Sequence, residues 1–286
     1  MQKNIKINNL VMKIYYQWYP WAYGNKACLQ VLNNLKINIE EIIWVETFKD
    51  VFNEIDNWNI WVIPIENSYA WSIHENFYHI ISWKYEIIWE IFLDINHYFL
   101  ANSKNISDIK EIYSHPQALM QCQKYLKEHN IKPIIFSDTA WAAKFVSESK
   151  RTDIASISSD LCSEIYGLNI LDKHIQDQTW NMTRFFVVVL KDVYEKNKDI
   201  FQIPKIWKIS IQFKTKDIPS ALYKCLWAFA TRFINLTKIE SLPARESHFE
   251  YIFWVDIQKN VSDEIISDSF DEVRFFCKDL VILWDY

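Results

Sequence analysis

Residues 60–72 read I-W-V-I-P-I-E-N-S-Y-A-W-S. The stretch begins with an apolar run, residues 60–65, which predicts a short buried strand. Polar side chains follow at once, with Glu66, Asn67 and Ser68 where the strand ends. Because ligands of open α/β folds bind at the ends of strands, this segment indicates a binding site, although Asn67 and Ser68 also suit helix capping.

Outward from this segment, strand patterns alternate with helix patterns. We predict strands at 11–16, 92–100, 134–136, 154–157 and 185–190, and helices at 26–35, 50–55, 116–128, 140–147 and 161–166. Gly167 directly follows the last of these helices, as a C-cap does. Such alternation predicts largely parallel sheets covered by helices.

The last part of the chain has a different order of elements. We predict strands at 209–213, 235–241, 249–257 and 281–283, and helices at 219–232 and 262–278. This βαββαβ order is ferredoxin-like. A length of 286 residues also favours two domains. We therefore predict an α/β domain at 1–190, a charged linker at 191–206 and a ferredoxin-like domain at 207–286.

Composition excludes several classes of function. The net charge is −5 and the basic residues are spread along the chain, which argues against a nucleic-acid partner. No apolar run is long enough to cross a membrane, and the N-terminus lacks an apolar signal core, so we expect a cytoplasmic protein. Met12 is an alternative start. The five cysteines are scattered, which favours buried reduced thiols, and the seven histidines show no metal-ligand spacing.

The balance of glycine and tryptophan is unusual. The chain has 2 Gly and 14 Trp, whereas average usage predicts roughly 20 Gly. Several Trp lie in turn-like surroundings, such as Trp21, Trp58 and Trp180, where glycine is expected. One hypothesis is that these residues are glycines in the natural protein, encoded by UGA codons that its source reads as Gly. The alternative is a protein that is rich in tryptophan.

Two other segments carry candidate site residues. Residues 181–185 read N-M-T-R-F, where Arg184 beside a hydroxyl suits a carboxylate clamp or a surface position. Residues 114–119 read S-H-P-Q-A-L and predict a helix start, which favours anions. A single His at that place, His115, is also typical of a cap or of a surface residue.

These segments together resemble the prephenate dehydratase family. With Trp read as Gly, residues 17–24 become Q-G-Y-P-G-A-Y-G and residues 61–68 become G-V-I-P-I-E-N-S, which are similar to two family motifs. Residues 114–119 match the family's S-H-P-Q-A-L, residues 138–143 become D-T-A-G-A-A, and residues 181–185 match its N-x-T-R-F. The resemblance runs from about residue 12 to residue 286 and implies a dehydratase domain of two lobes, similar to periplasmic binding proteins.

The resemblance also implies roles for individual residues. Thr183 is the expected key hydroxyl, assisted by the other expected catalytic residues Glu66, Asn67 and Ser68. The residues expected to bind the substrate are Arg184, Phe185, Ser114, Gln117, Thr139, Ala22 and Trp71. The implied reaction removes the ring carboxylate of prephenate as CO2 and its hydroxyl as water. Aromatisation drives this reaction, so neither a metal nor an organic cofactor is expected.

The C-terminal part resembles an ACT regulatory domain of the phenylalanine-binding kind. The implied phenylalanine site comprises Ser220, Ala221, Leu222, Asn235, Leu236, Glu240 and Ser241. Three residues depart from the family pattern: Ser220 and Phe233 stand where it has Gly, and Leu242 where it has Arg. A dimerisation module without a ligand is the alternative for this domain.

The expected partners are prephenate as substrate, L-phenylalanine as allosteric ligand, and further copies of the chain in a homodimer or homotetramer. Three other functions stay open. An arogenate dehydratase has the same fold and an amino-bearing substrate. A phenylalanine sensor would bind through the ACT domain alone, but the intact 183–185 segment argues against it. A two-lobed solute-binding protein would need a signal peptide.

Overall fold

The structure is a computed structural model. It describes residues 11–17, 23–35, 37–53, 59–69, 71–81, 84–201, 207–244 and 250–285. The chain divides into two compact units. The first comprises residues 1–80 and 87–202, and the second comprises residues 81–86 and 203–286.

The first lobe of the first unit is built on a mixed sheet. Its strands are β1 (Val11–Gln17), β2 (Asn38–Val45), β3 (Ile60–Asn67), β4 (Trp71–Ser72), β5 (Tyr85–Asp94) and β11 (Met182–Leu190), in the order β2-β1-β3-β11-β5 with β4 beside β3. Its helices are α1 (Tyr23–Asn34), α2 (Phe48–Asn53) and α3 (His74–Ile80). Strand β3 is buried along the apolar run 60–65, and β1 pairs with it in parallel. The predicted strand at 60–65 is therefore confirmed and extends to Asn67.

The second lobe is built on a five-stranded sheet. Its strands are β6 (Tyr98–Ala101), β7 (Glu111–Ser114), β8 (Lys132–Ile135), β9 (Ile154–Ser158) and β10 (Asn169–Lys173), in the order β10-β6-β9-β7-β8. Its helices are α4 (Pro116–Gln121), α5 (Gln123–Glu128), α6 (Thr139–Ser149) and α7 (Asp160–Tyr166). Gly167 ends α7 with a φ of +64°, which confirms the predicted C-cap.

The chain passes between the two lobes twice, once from β5 to β6 and once from β10 to β11. The prediction of one strand over 92–100 is wrong at this point. Residues 95–97 lie outside both strands, and β5 and β6 belong to different sheets. Apolar residues lie on both sides of Asn96 and His97, so the pattern of hydrophobic residues alone does not reveal the change of sheet.

Two other predicted elements need correction. The helix expected over 116–128 is two short helices, α4 and α5, separated at Cys122. The expected linker, 191–206, begins with helix α8 (Lys191–Lys196), whose Val193 is buried. Helix α8 therefore belongs to the first unit, and only the later part of the proposed linker reaches the second.

The second unit holds the predicted βαββαβ order. It comprises β12 (Lys208–Thr215), α9 (Ala221–Ala230), β13 (Leu236–Pro243), β14 (Tyr251–Gln258), α10 (Asp263–Phe276) and β15 (Cys277–Asp285). The sheet is antiparallel, in the order β13-β14-β12-β15. The alternating residues Ile209, Ile211 and Phe213 of β12 are buried against both helices, as the alternation in the sequence indicates.

The five cysteines are free and buried, which confirms the expected reduced thiols. No helix among the described residues is long and apolar enough to cross a membrane.

Candidate functional site

A cavity lies between the two lobes of the first unit, beside both chain crossings. Its lining comes from the ends of several elements and comprises Tyr23, Pro64, Asn67, Ile73, Ile95, His97, His115, Gln117, Ala118, Gln121, Ser137, Asp138, Thr139, Thr183 and Phe185. Five of the predicted site residues therefore meet here, namely Asn67, Gln117, Thr139, Thr183 and Phe185. They come from both lobes, although their positions in the sequence are far apart.

Thr183 lies at the start of β11, where that strand pairs with the end of β3 and sets Thr183 opposite Asn67. The Asn67 side-chain nitrogen, Nδ2, donates to the Thr183 hydroxyl oxygen at 2.9 Å. Within the described part of the chain, the Thr183 hydroxyl makes this one hydrogen bond. Because the oxygen accepts in that bond, the hydroxyl hydrogen remains available to donate to an acceptor in the cavity.

The Asn67 amide is held in one orientation by backbone groups. Its Oδ1 accepts from the Tyr69 backbone N–H at 3.0 Å, and its Nδ2 lies 3.2 Å from the Met182 carbonyl oxygen. A flip of the amide would set a nitrogen against an N–H donor and an oxygen against a carbonyl, so the flipped form is excluded. Asn67 is therefore a fixed donor to Thr183.

The same amide begins a chain of hydrogen bonds that crosses the cavity wall. Asn67 Nδ2 donates to Asn181 Oδ1 at 2.8 Å, and Asn181 Nδ2 donates to Gln121 Oε1 at 2.8 Å. Gln121 Oε1 in turn lies 2.6 Å from His97 Nε2. On the other side of the ring, His97 Nδ1 lies 3.2 Å from the Tyr23 hydroxyl. This hydrogen-bonded chain joins the first lobe, both crossings and helix α4.

Arg184 does not lie in the cavity. It is 4% exposed, its Nε donates to Glu90 Oε2 at 2.7 Å, and its Nη1 lies 3.0 Å from Glu66 Oε1. Successive side chains of a strand point to opposite faces, so Thr183 and Phe185 face the cavity while Arg184 faces away. The expectation that Arg184 clamps the substrate therefore disagrees with the structure, and Glu66 is likewise committed to this ion pair.

Two serines that were predicted to lie in the site form hydrogen bonds with backbone groups and do not line the cavity. The Ser114 hydroxyl is fully buried and donates to the Ile157 carbonyl oxygen at 2.6 Å, which joins β7 to β9. The Ser68 hydroxyl donates to the Trp180 carbonyl oxygen at 3.0 Å and accepts from the Met182 N–H at 2.9 Å. Neither serine lines the cavity, so their expected contact with the substrate is not supported. Ser68 instead fixes the strand start that carries Thr183.

The wall of the second lobe contains two helix starts. His115 caps α4, because its Nδ1 accepts from the Gln117 N–H at 3.3 Å, so the capping interpretation of this residue is confirmed. Asp138 caps α6 by accepting from Ala140 and Trp141. Burial raises the pKa of the Asp138 carboxyl, against the lowering effect of these backbone bonds, and burial lowers the pKa of His115. Thr139 and Gln117 are the cavity-lining residues next to these caps.

Two predicted residues are not located by the structure. Ala22 lies outside the described residues, and the side chain of Trp71 is also outside them, although its backbone forms β4 opposite Asn67. Several residues of the cavity were not singled out from the sequence, among them Tyr23, His97 and Gln121. His97 lies inside the predicted strand 92–100, where Asp94, Asn96 and His97 interrupt the apolar residues, and this interruption is the one signal that points to it.

The described residues contain no cluster of three or more side chains suited to hold a metal ion.

The second unit has a groove of its own. It is lined by the start of α9, with Ser220, Ala221 and Leu222, and by residues of β12, β14 and β15. The other residues expected at the phenylalanine site, Asn235, Leu236, Glu240 and Ser241, lie before or on the edge strand β13 and outside this lining. Ser220 and Phe233 have φ values of +62° and +57°, the left-handed region that favours glycine. The backbone therefore has a conformation typical of glycine at both residues, both of which stand where the family pattern has Gly.

The fold and the cavity define a two-lobed α/β domain with a candidate binding site between its lobes, mainly apolar in lining and with several polar side chains in it. Among known protein families, the model of the family described as prephenate dehydratase matches residues 14–193 of this chain. The chain is 38% identical to a prephenate dehydratase of Methanocaldococcus jannaschii over 84% of this chain and 85% of that protein. The chain therefore belongs to the prephenate dehydratase family.

Other relatives carry a double name or a bound ligand. Arogenate dehydratase/prephenate dehydratase 2 of Arabidopsis thaliana, a chloroplastic protein, is 33% identical over 98% of this chain and 74% of its own length. The structure of prephenate dehydratase in complex with L-Phe from Arthrobacter aurescens superposes with a TM-score of 0.78. It is 24% identical and covers 95% of this chain and 89% of its own, which establishes a shared fold across both units.

Proposed function

We propose that the protein converts prephenate into phenylpyruvate, CO2 and water. The observation that carries this proposal is the Thr183 hydroxyl at the cavity wall, which accepts from Asn67 at 2.9 Å and keeps its hydrogen for a ligand. A leaving hydroxyl group needs such a donor, because a hydroxide ion is a poor leaving group until it is hydrogen-bonded or protonated.

The reaction balances without an oxidant or a reductant. The bond between the ring and its carboxylate breaks, and the electron pair of that bond enters the ring. The ring C–O bond breaks, the leaving hydroxide takes one proton from the solvent to become water, and the ring becomes aromatic. In this scheme Thr183 donates a hydrogen bond to the leaving oxygen. The apolar residues Phe185, Ile73 and Ile95 of the lining keep water from the departing carboxylate.

The start of α6 is the best-placed group for one of the substrate carboxylates. Thr139 and Ser137 flank the cap Asp138 and line the cavity. Helix N-termini favour anions through the helix dipole, and in α6 the Ala140 and Trp141 N–H groups already donate to the Asp138 cap. The Asp138 carboxyl, which itself lines the cavity, also suits an ammonium group, and this observation keeps arogenate as a second substrate candidate.

For the second unit we propose an ACT regulatory domain that binds L-phenylalanine. The βαββαβ order, the groove at Ser220–Leu222 and the glycine-like backbone at Ser220 support it. Because the expected residues of β13 lie outside that groove, we further propose that a second copy of the chain brings them to it. A homodimer or homotetramer would complete the site in this way.

We also propose that the tryptophans stand for glycines in the natural protein. Trp207 supports this, because it has a φ of +56°, a conformation that is rare for a bulky residue. The Trp207 indole is 57% exposed, which gives it little packing to offset such strain. The intact mass of protein from its native source decides between 14 Gly and 14 Trp at these positions.

Turnover of both substrates by the purified protein tests the main proposal. Phenylpyruvate from prephenate is expected, in the form with Gly at the 14 positions and measured with and without phenylalanine. Inhibition by phenylalanine would support the regulatory site. Turnover of arogenate alone would overturn the assignment of prephenate, and a folded protein inert toward both would overturn the proposed activity.

A further inference from the structure

The cavity has no permanent positive charge among the side chains that line it. None of the lining residues that the structure describes is Lys or Arg, and Arg184 is committed to Glu90 and Glu66. Prephenate carries two carboxylates, and a buried anion is costly unless it meets a positive charge or several donors. The titratable groups able to become positive in this lining are His97 and His115.

His115 is held in its neutral form. Its Nδ1 accepts from the Gln117 N–H and so caps α4. A proton on Nδ1 would place two donors against each other and remove that cap. His115 is therefore poorly placed to take up a second proton.

The hydrogen-bonded chain through Asn67 fixes the tautomer of His97. Asn67 is held by the backbone, so Asn181 must present its oxygen to Asn67 and its nitrogen to Gln121. Gln121 then presents Oε1 to His97, and an acceptor at 2.6 Å requires that Nε2 carry a hydrogen. The free position of the ring is consequently Nδ1.

The surroundings of Nδ1 suit both charge states of the ring. The Tyr23 hydroxyl lies 3.2 Å from Nδ1 and 2.8 Å from the Asn96 carbonyl oxygen. When Nδ1 has no hydrogen, the hydroxyl can donate to it. When Nδ1 carries one, it can donate to the Tyr23 oxygen while the hydroxyl turns to Asn96. Burial holds the pKa of Tyr23 well above its ordinary value, so this hydroxyl keeps its hydrogen at neutral pH.

We propose that His97 is neutral without substrate and takes up a proton at Nδ1 when the doubly charged substrate enters, and so provides the positive charge of the cavity. This inference rests on the proposed function, since that function supplies the dianion. Burial lowers the pKa of His97, against the raising effect of its bond to Gln121, which agrees with a neutral ring in the free protein.

The other titratable groups around His97 are already engaged. Tyr23 faces it from α1, and His115 and Asp138 line the same cavity from the second lobe. In the segment after β10, His174 Nδ1 is bonded to the Asn96 side chain and the Asp177 carboxylate accepts from the Lys124 N–H. Gln121 and Asn181, from α4 and the second crossing, carry no charge. A carboxylate that enters the cavity is thus the new charge next to the ring.

The pH dependence of kcat/KM for prephenate tests the proposal. Because binding takes up one proton, kcat/KM of the wild-type protein should fall by about tenfold per pH unit above the pKa of free His97. In His97→Gln this slope should vanish, and KM should rise by roughly tenfold as a charge-assisted hydrogen bond becomes a neutral one. His115→Asn, which keeps a capping side chain on the same cavity, should retain the slope.

Nitrogen NMR of the His97 ring gives a second readout that needs no variant. The free protein should show a hydrogen on Nε2 alone, and addition of prephenate should protonate Nδ1. A hydrogen on Nδ1 alone in the free protein, a ring that stays neutral with substrate, or a slope that survives in His97→Gln would overturn the proposal. Absence of turnover in the wild-type protein would count against the proposed function instead, and the ring titration would still decide the state of His97.

Discussion

Replacement of Thr183 by valine isolates the hydroxyl on which the proposed mechanism depends. Valine keeps the shape and β-branching of threonine, so the start of β11 should fold as before. The variant removes the hydrogen that points into the cavity and the acceptor of the 2.9 Å bond from Asn67. Asn67 Nδ2 keeps Asn181 Oδ1 at 2.8 Å and the Met182 carbonyl at 3.2 Å.

The effect on stability should therefore be small and the effect on rate large. Loss of one of several hydrogen bonds costs about 1 kcal/mol in the free energy of unfolding. Loss of a positioned proton or hydrogen-bond donor to a leaving group lowers kcat by roughly 10²–10⁴-fold. Thr183→Ser, which restores the hydroxyl, should recover most of the rate.

The assay measures phenylpyruvate formation at saturating prephenate, with circular dichroism and urea unfolding as checks on the fold. A folded Thr183→Val protein with near-normal kcat would refute the role of this hydroxyl. Equal losses in Thr183→Val and Thr183→Ser would refute it as well, because they would point to packing.

Three further predictions concern stability. Glu90→Gln leaves the buried Arg184 with a weaker partner and should lower the free energy of unfolding, measured by urea titration, by about 3 kcal/mol. As the control, Glu148→Gln in the exposed pair with Lys144 should change it little. Similar small effects of both substitutions would contradict a buried ion pair at Arg184. Phe233→Gly should raise the free energy of unfolding by about 1 kcal/mol, because Phe233 is exposed and has a positive φ that favours glycine. As the control, Phe275→Gly should lower it, because Phe275 is exposed within helix α10, where glycine is unfavourable. Since burial raises the folded-state pKa of Asp138, its stabilising contribution is full below the ordinary pKa and is lost as pH rises through the raised value. Asp138→Asn keeps the cap, so its stability relative to wild type should increase across that window, and a constant difference would show that the pKa is not raised.

Many strands and helices were predictable from clear hydrophobic patterns, such as the apolar run of β3 and the alternation of β12, whereas β2, β7, β10 and α3 were not predicted. The change of sheet between β5 and β6 was not predictable, since apolar residues of both strands flank the short segment 95–97 and nothing local marks where the chain leaves one sheet for the other. Helix α8 was missed because its charged residues resemble a linker, and Val193 is its one buried residue among those described.

Some residues of the candidate site could likewise be predicted from the sequence, and others could not. Local motifs identified Asn67 and Thr183, which the pairing of β3 with β11 brings together. The direction of Arg184 follows from strand alternation once Thr183 faces the cavity, so the sequence contained the information against a clamp. His97 could not be assigned a role from the sequence, because its partners Tyr23 and Gln121 come from helices of different lobes.

The most direct test of the central claim is a balance of products from prephenate, measured with purified wild-type protein and with Thr183→Val. We expect phenylpyruvate and CO2 in equal amounts from the wild-type protein, and almost none above the spontaneous rate from the variant. Release of neither product by folded wild-type protein, or equal release by both proteins, would contradict it.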